Sequence, residues 1–468
     1  MLLLRFQAGT LLVGDESLAP GAPLPAGIGE KCRYDSRVRS FRASASDYPE
    51  ILLRLHREGV PYDDQARAYQ RLEGLPPLSR QPRFYQQEAL EAWRRQGGRG
   101  VVVLPTGTGK SFLAQMAIAS AARSTLVVVP TLDLLAQWAL QLQAAFGGPI
   151  GTLGGGSHDP QPITVSTYDS ALLVMEHWGN RFGTLVVDEC HHLPGAAYSQ
   201  IARGCLAPFR LGLTATPERP DGLHREYATL LGPLCYRREI TDLPSETVLA
   251  PYETVTLPIH LDEEERLLYQ EAREAYLQFL HENRISLASP RGWGAFLRAC
   301  ARLPDGRQAL QAYLAQRKIS RSPKAKFRTV HQLLVAHRHD RTILFTADNA
   351  TAYQLGTAFA LPVITHHTRT QERIAFLEGF RTGEFPAIVT SRVLNEGVDV
   401  PAANVGIIVS GSGSVREHVQ RLGRILRPSP GKTALLYELV TQDTGETYTA
   451  ERRRMHPAYG NPPPSPPC

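Results

Sequence analysis

Three short segments carry residue types that together could hold and cleave a nucleoside triphosphate. The first is Thr106-Gly107-Thr108-Gly109-Lys110-Ser111, preceded by Leu104-Pro105. Glycines there let backbone amides approach an anion without Cβ obstruction. Lys110 would pair with the β- and γ-phosphates of ATP, and the Ser111 hydroxyl would ligate Mg²⁺. Leu104 stands where such loops usually begin with glycine, so the string alone also suits an ordinary turn before a helix. The second segment, Asp188-Glu189, supplies the carboxylates that the first lacks. Asp188 would hold Mg²⁺, and Glu189 would orient and deprotonate the attacking water. The third, Gln420 to Arg427, offers arginines from a distant part of the chain. Arg424 and Arg427 could stabilise charge on the transferring phosphoryl group. One ATP site divided between distant segments suits a machine whose halves open and close.

These groups need a scaffold, and the apolar runs beside them provide one. Val101-Val102-Val103-Leu104 and Thr184-Leu185-Val186-Val187 read as buried strands that end at the glycine loop and at the carboxylates. Ligands of open α/β sheets bind at such carboxyl ends. Phe112, Leu113, Met116 and Ala117 fall at helical spacing after Ser111, so a helix N-terminus would face the phosphates. Thr342–Phe345, Ala387–Thr390 and Val405–Val409 repeat the strand pattern later in the chain. The expected class is therefore α/β, with two RecA-like parallel-sheet lobes, a helical insertion and a small N-terminal domain.

The order and spacing of these segments resemble superfamily 2 helicases over most of residues 83–440. Arg83-Phe-Tyr-Gln86 is similar to the adenine-reading Q motif. Pro130-Thr131 is similar to motif Ia, and Asp188-Glu-Cys-His191 to a DExH box. Leu213-Thr214-Ala-Thr216-Pro217 is similar to motif III, Leu344-Phe-Thr346 to motif IV, and Asn395-Glu-Gly397-Val-Asp399-Val-Pro401 to motif V. The resemblance implies ATP contacts at Arg83, Gln86, Gly397, Asp399 and Gln420, and lobe coupling through His191, Thr214 and Thr216. It also implies a nucleic-acid strand held at its backbone by Thr131, Thr167, Thr346 and Thr390, without sequence reading.

Within the superfamily, Ser410 to Arg427 and Leu436-Tyr-Glu-Leu-Val440 with Arg452-Arg453-Arg454 resemble the XPB group of DNA helicases. This likeness implies 3′-to-5′ travel on single-stranded or forked DNA, with a nuclease or repair partner open. The XPB triplet Arg-Glu-Asp is replaced here by Arg219-Pro220-Asp221, a form more like generic bacterial helicases and restriction-type translocases. A duplex translocase serving a nuclease or defence complex is the alternative reading. An RNA helicase and an inactive nucleotide-binding module are the others.

Composition bounds the rest. The 468 residues exceed a single core. A net charge of +6 suits a polyanion partner without requiring one. The scattered cysteines form no Cys-x-x-Cys pair, which argues against zinc or an iron–sulfur cluster. No membrane span or signal pattern is evident, so a cytoplasmic location is expected. The expected division is 1–80 for an accessory, DNA-recognising domain, 82–245 for the first lobe and 250–325 for a thumb-like helical insertion. The second lobe would occupy 327–450, followed by a basic then Pro-rich tail at 451–468. Tyr34, Arg37, Arg39, Phe41 and Arg42 could stack bases and hold phosphates, or could build a small core. The stretch Arg317 to Lys326 reads equally as a phosphate track or a solvated linker.

Overall fold

The computed structural model describes residues 1–14, 24–105, 107–219, 221–239, 242, 252–287, 289, 292–391, 403–411 and 434–454. The chain forms two compact units, one built on Met1–Asp242 and the other on most of the remainder.

The first unit opens with β1 (Leu2–Gln7), β2 (Thr10–Val13), β3 (Arg33–Asp35), β4 (Ser40–Ser44), α1 (Tyr48–Arg57) and β5 (Tyr62–Asp64). These strands make one sheet in the order β3-β4-β2-β1-β5. Alternation along them sends Leu4, Leu11, Val13, Phe41 and Ala43 into a core with Ile51 and Leu55 of α1. Leu206, far along the chain, closes this core. Gly9 donates its N–H to the Glu176 carbonyl at 3.0 Å, and the Ser44 hydroxyl donates to the Arg203 carbonyl at 3.0 Å. The N-terminal sheet is thus seated on the lobe that follows it.

The aromatic–arginine cluster resolves in favour of a core. Phe41 is buried and meets Tyr34 edge-on at 5.4 Å. Asp35 clasps Arg42 at 3.0 Å and Arg37 at 2.9 Å, which leaves Arg37 on the surface.

The lobe proper contains α2 (Phe84–Arg95), β6 (Arg99–Val103), α3 (Lys110–Ala121), β7 (Thr125–Val129) and α4 (Leu132–Phe146). It continues with β8 (Ile150–Gly154), β9 (Ser157–Asp159), β10 (Ile163–Thr167), α5 (Tyr168–Trp178) and β11 (Thr184–Val187). It ends with α6 (Ser199–Arg203), β12 (Phe209–Thr214), α7 (Tyr227–Leu230) and β13 (Leu234–Arg237). The sheet order is β13-β6-β12-β11-β7-β10-β8-β9, parallel except for the β8–β9 pair. β7 and β11 are buried along their whole length, as expected of central strands covered by helices on both faces. Residues 66–83 run along this lobe as a strap, with Ala68 N–H on the Asn180 carbonyl at 2.9 Å and Leu72 N–H on the Ala122 carbonyl at 3.0 Å.

The second unit begins with β14 (Tyr252–Ile259) and then a helical insertion of α8 (Glu263–Glu282), α9 (Gly292–Arg302) and α10 (Gly306–Arg321). Asp262 and Glu265 form a capping box that starts α8: the Asp262 carboxylate accepts the Glu265 N–H at 2.8 Å. The insertion packs its own core of Tyr276, Phe279, Leu280, Phe296 and Ala309. There follow α11 (Lys324–Ala336), β15 (Thr342–Phe345), α12 (Asn349–Phe359), β16 (Val363–Ile364) and α13 (Thr370–Thr382). β17 (Ala387–Thr390), β18 (Val405–Ile408), β19 (Ala434–Thr441) and α14 (Gly445–Arg454) complete the unit. Its parallel sheet runs β14-β19-β18-β15-β17-β16.

The Arg317–Lys326 stretch is not one basic track. Arg317 lies over the Tyr313 ring, Arg321 meets Asp348 at 3.5 Å, and Lys324 pairs with Glu264 at 3.1 Å. Lys326 is fully buried against Glu446 at 2.6 Å. Among the described residues no helix is long and apolar enough to cross a membrane.

Candidate active site

Three neighbouring strands of the first lobe deliver its chemistry at their carboxyl ends. β6 runs into the glycine loop, β11 into Asp188, and β12 ends at Thr214, with β12 paired in register to both of the others. The Leu104 N–H donates to the Thr214 carbonyl at 3.1 Å, tying the loop to the third strand.

Gly107 and Gly109 have φ of +86° and +83°, left-handed conformations that favour glycine. A Cβ at Gly109 would lie 2.6 Å from Gln86 Nε2. Gln86 is buried and braces the loop: Nε2 donates to the Thr108 carbonyl at 2.9 Å, and Oε1 accepts the Arg83 N–H at 2.9 Å. The Tyr85 hydroxyl donates to the same Thr108 carbonyl at 3.0 Å and accepts from Arg83 at 2.9 Å. The residues expected to read adenine therefore brace the loop through the Thr108 carbonyl. α3 starts at Lys110 with no side-chain cap, so its first N–H groups and Ser111 point an uncapped helix terminus at the loop. Lys110 Nζ makes a long 3.3 Å bond to the Leu104 carbonyl. Thr106, Gly397, Asp399, Gln420, Arg424 and Arg427 lie outside the described residues.

The carboxylates sit in a tight polar cage. Asp188 and Glu189 are both buried. Asp188 Oδ1 accepts the Glu189 N–H at 3.0 Å, and Oδ2 accepts the Trp138 indole N–H at 2.9 Å. Burial raises the Asp188 pKa, and the neighbouring Glu189 charge adds to the rise, while Lys110 opposes it. Glu189 holds φ at +45°, a strained backbone of the kind that gathers at working sites. The Tyr168 hydroxyl bridges the Asp188 and Glu189 carbonyls at 2.9 and 3.2 Å.

His191 is fully buried, with Nδ1 3.2 Å from Thr214 Oγ1 and 3.4 Å from Glu189 Oε2. Thr214 Oγ1 in turn exchanges bonds of 3.2 Å with the Thr216 backbone. Arg219 donates to the His191 carbonyl and grips Asp221 at 2.6 and 3.0 Å, which drops the Asp221 carboxyl to about 2. Trp138 and Tyr168 carry no signal in the motif pattern. A lone tryptophan inside an apolar helix, whose N–H must find a partner, was the one available hint for Trp138.

The expected backbone-holding threonines divide. Thr131 and Thr167 cap α4 and α5 at the carboxyl ends of adjacent strands and are half-buried. Thr346 and Thr390 are fully buried. Their hydroxyls donate to the Asp348 carbonyl at 2.9 Å and the Ser391 carbonyl at 3.1 Å, which fastens the loops that leave β15 and β17.

The donor set suits Mg²⁺·ATP. Hard oxygens from Ser111 and Asp188 are few, which fits a cation that takes most of its ligands from water and phosphate. Among the described residues there is no group of three or more His, Cys, Asp or Glu side chains that would bind a metal unaided. A parallel sheet with this loop and carboxylate pair defines a P-loop nucleoside-triphosphatase lobe.

Comparison with known proteins narrows the class. Residues 4–66 match the Xeroderma pigmentosum group B helicase damage recognition domain. Residues 79–219 match the res subunit of type III restriction enzymes, and residues 309–457 the ERCC3/RAD25/XPB C-terminal helicase. The DNA 3′-5′ translocase XPB2 of Sulfurisphaera tokodaii is 35% identical over 97% of this chain and 100% of its own length. The DNA 3′-5′ helicase XPB of Mycobacterium tuberculosis is 31% identical over 80% of this chain, which spans 63% of that protein. The chain belongs to the XPB family of superfamily 2 helicases. The crystal structure of the Pyrococcus furiosus Hef helicase domain shares the fold, with a TM-score of 0.55 at 20% identity, covering 80% of this chain and 98% of that one.

Proposed function

We propose that this chain is an ATP-hydrolysing DNA helicase or translocase that travels 3′ to 5′ and acts in DNA repair or transcription. The single observation that carries the proposal is likeness to a DNA 3′-5′ translocase over 97% of this chain and 100% of that protein. Lys110 and the loop amides bind the β- and γ-phosphates. Ser111 and Asp188 would hold Mg²⁺, which would supply positive charge to the phosphate oxygens. Glu189 orients the attacking water and takes its proton. Gln86 exchanges its loop carbonyls for the base edge when adenine is present. His191 and Thr214 relay the state of the γ-phosphate to the segment ending in Arg219. Arg424 and Arg427 act as charge-stabilising arginines with Gln420 beside them in sequence, and losing either arginine costs roughly 10³-fold or more in rate. Thr131 and Thr167 line the edge where backbone phosphates are held. DNA is the partner, and a nuclease or repair protein the further one.

Lys110→Ala should abolish turnover in a folded protein, and Glu189→Gln should bind ATP without hydrolysing it. Near-normal hydrolysis by either variant would overturn the assignment of roles.

A further inference from the structure

We infer that Trp138 is a positioning residue of the Mg²⁺ site: its indole N–H fixes the orientation in which the Asp188 carboxylate meets the metal. The inference rests on the reading of Asp188 given above and deepens it.

Trp138 lies on α4 with 2% of its surface exposed. An indole has one polar atom and can only donate. When buried it needs an acceptor, and the choice of acceptor is informative. Trp93, equally buried, donates to the Arg210 backbone carbonyl at 2.8 Å, which serves packing alone. Trp138 instead donates to a side-chain carboxylate, Asp188 Oδ2, at 2.9 Å. The other oxygen, Oδ1, accepts the Glu189 N–H at 3.0 Å. With one donor on each oxygen, rotation about the last side-chain bond of Asp188 would break both contacts. Each oxygen still keeps a second lone pair for a metal or its water.

The two donors differ in origin. Glu189 N–H belongs to the residue next to Asp188 and so to the same loop. Trp138 comes from a separate element whose ends are fixed, by the Thr131 cap at one end and by Gly147 in a left-handed turn at the other. It therefore references the carboxylate to the body of the lobe. Tyr168 does the same for the loop backbone, through the Asp188 and Glu189 carbonyls. A metal ligand held this way needs no rearrangement when Mg²⁺·ATP arrives, and partners of this kind commonly set metal affinity by 10-fold to 100-fold.

The test compares wild type with Trp138→Phe, which keeps most of the ring and removes the N–H. Mn²⁺ binding is titrated by electron paramagnetic resonance in the presence of a non-hydrolysable ATP analogue. Nucleotide binding is measured separately in chelator, and ATP turnover is followed against Mg²⁺ concentration. The expected result is Mn²⁺ affinity weakened by about 10-fold or more, metal-free nucleotide affinity unchanged, and turnover recovering at high Mg²⁺. Unchanged Mn²⁺ affinity with a lowered melting temperature would reduce Trp138 to a packing residue and overturn the inference. If Trp138→Phe does not fold, benzothienylalanine at the same position replaces only the N–H with sulfur, and the same two outcomes decide. A wild-type protein with no nucleotide-dependent Mn²⁺ signal would overturn the metal assignment itself, a failure distinct from identical titrations in the two proteins.

Discussion

Lys326 and Glu446 offer a sharp test of how the second unit is held together. Lys326 is fully buried on α11, with Nζ 2.6 Å from Glu446 Oε2 and 2.6 Å from the Val409 carbonyl. Glu446 Oε2 also accepts the Thr441 N–H at 3.0 Å. The pair thus joins α11 to the ends of β18 and β19 and to the first turn of α14. Replacing Lys326 with Met removes one partner and leaves a buried carboxylate without its counter-charge. Such breakage typically costs about 3–5 kcal/mol. Replacing both partners, Lys326→Met with Glu446→Leu, leaves no buried charge and should recover most of that loss. Denaturant unfolding of the single and double variants gives the coupling energy directly. A cost for Lys326→Met within about 0.5 kcal/mol, as for an ordinary surface position, would refute the reasoning. So would a double variant no more stable than the worse single one.

Other outcomes follow from the first unit. Removing residues 1–66 strips the cover from Leu206 and the bonds to Glu176 and Arg203, so the lobe should melt several degrees lower; an unchanged melting temperature in calorimetry would show that the N-terminal sheet adds nothing to the lobe. Phe41→Ala should cost about 3–5 kcal/mol, whereas Arg37→Ala should leave stability within about 0.5 kcal/mol, because one is core and the other exposed. Asp188 has its pKa raised in the folded state by burial, so the native protein binds that proton more tightly than the unfolded chain. Stability of the nucleotide-free protein should therefore rise as pH falls from neutrality through the raised native value, and level off below the ordinary aspartate pKa of about 4. Asp188→Asn should flatten that part of the denaturant-midpoint profile, and an unchanged slope would count against the shift.

The strands, the glycine loop and the carboxylate pair were legible because each depends on local chemistry. Val101–Val103 and Thr184–Val187 can scarcely be anything but covered strands, and Gly107 and Gly109 mark a backbone that must turn left. The helix start at Asp262 was equally local, a capping box written in adjacent residues. What the sequence hid was long-range. Trp138 meets Asp188 across 50 positions, and Lys326 meets Glu446 across 120. Lysine in a run of cations reads as solvated surface until its distant counter-charge is known. The partners of Thr346 and Thr390 were hidden for a related reason: motif position places a hydroxyl at a strand end but does not say which way it turns. Phe41 and Tyr34 showed the opposite ambiguity, where an aromatic–basic pattern that could stack bases instead built a small core.

The most direct test of the central claim is ATP turnover measured with matched lengths of single-stranded DNA, forked DNA, duplex DNA and RNA across a salt series. Stimulation by DNA should exceed that by RNA and vanish in Lys110→Ala, with DNA affinity falling steeply as salt rises because phosphate contacts release counterions. Equal or stronger stimulation by RNA, or turnover indifferent to any polynucleotide, would contradict that claim.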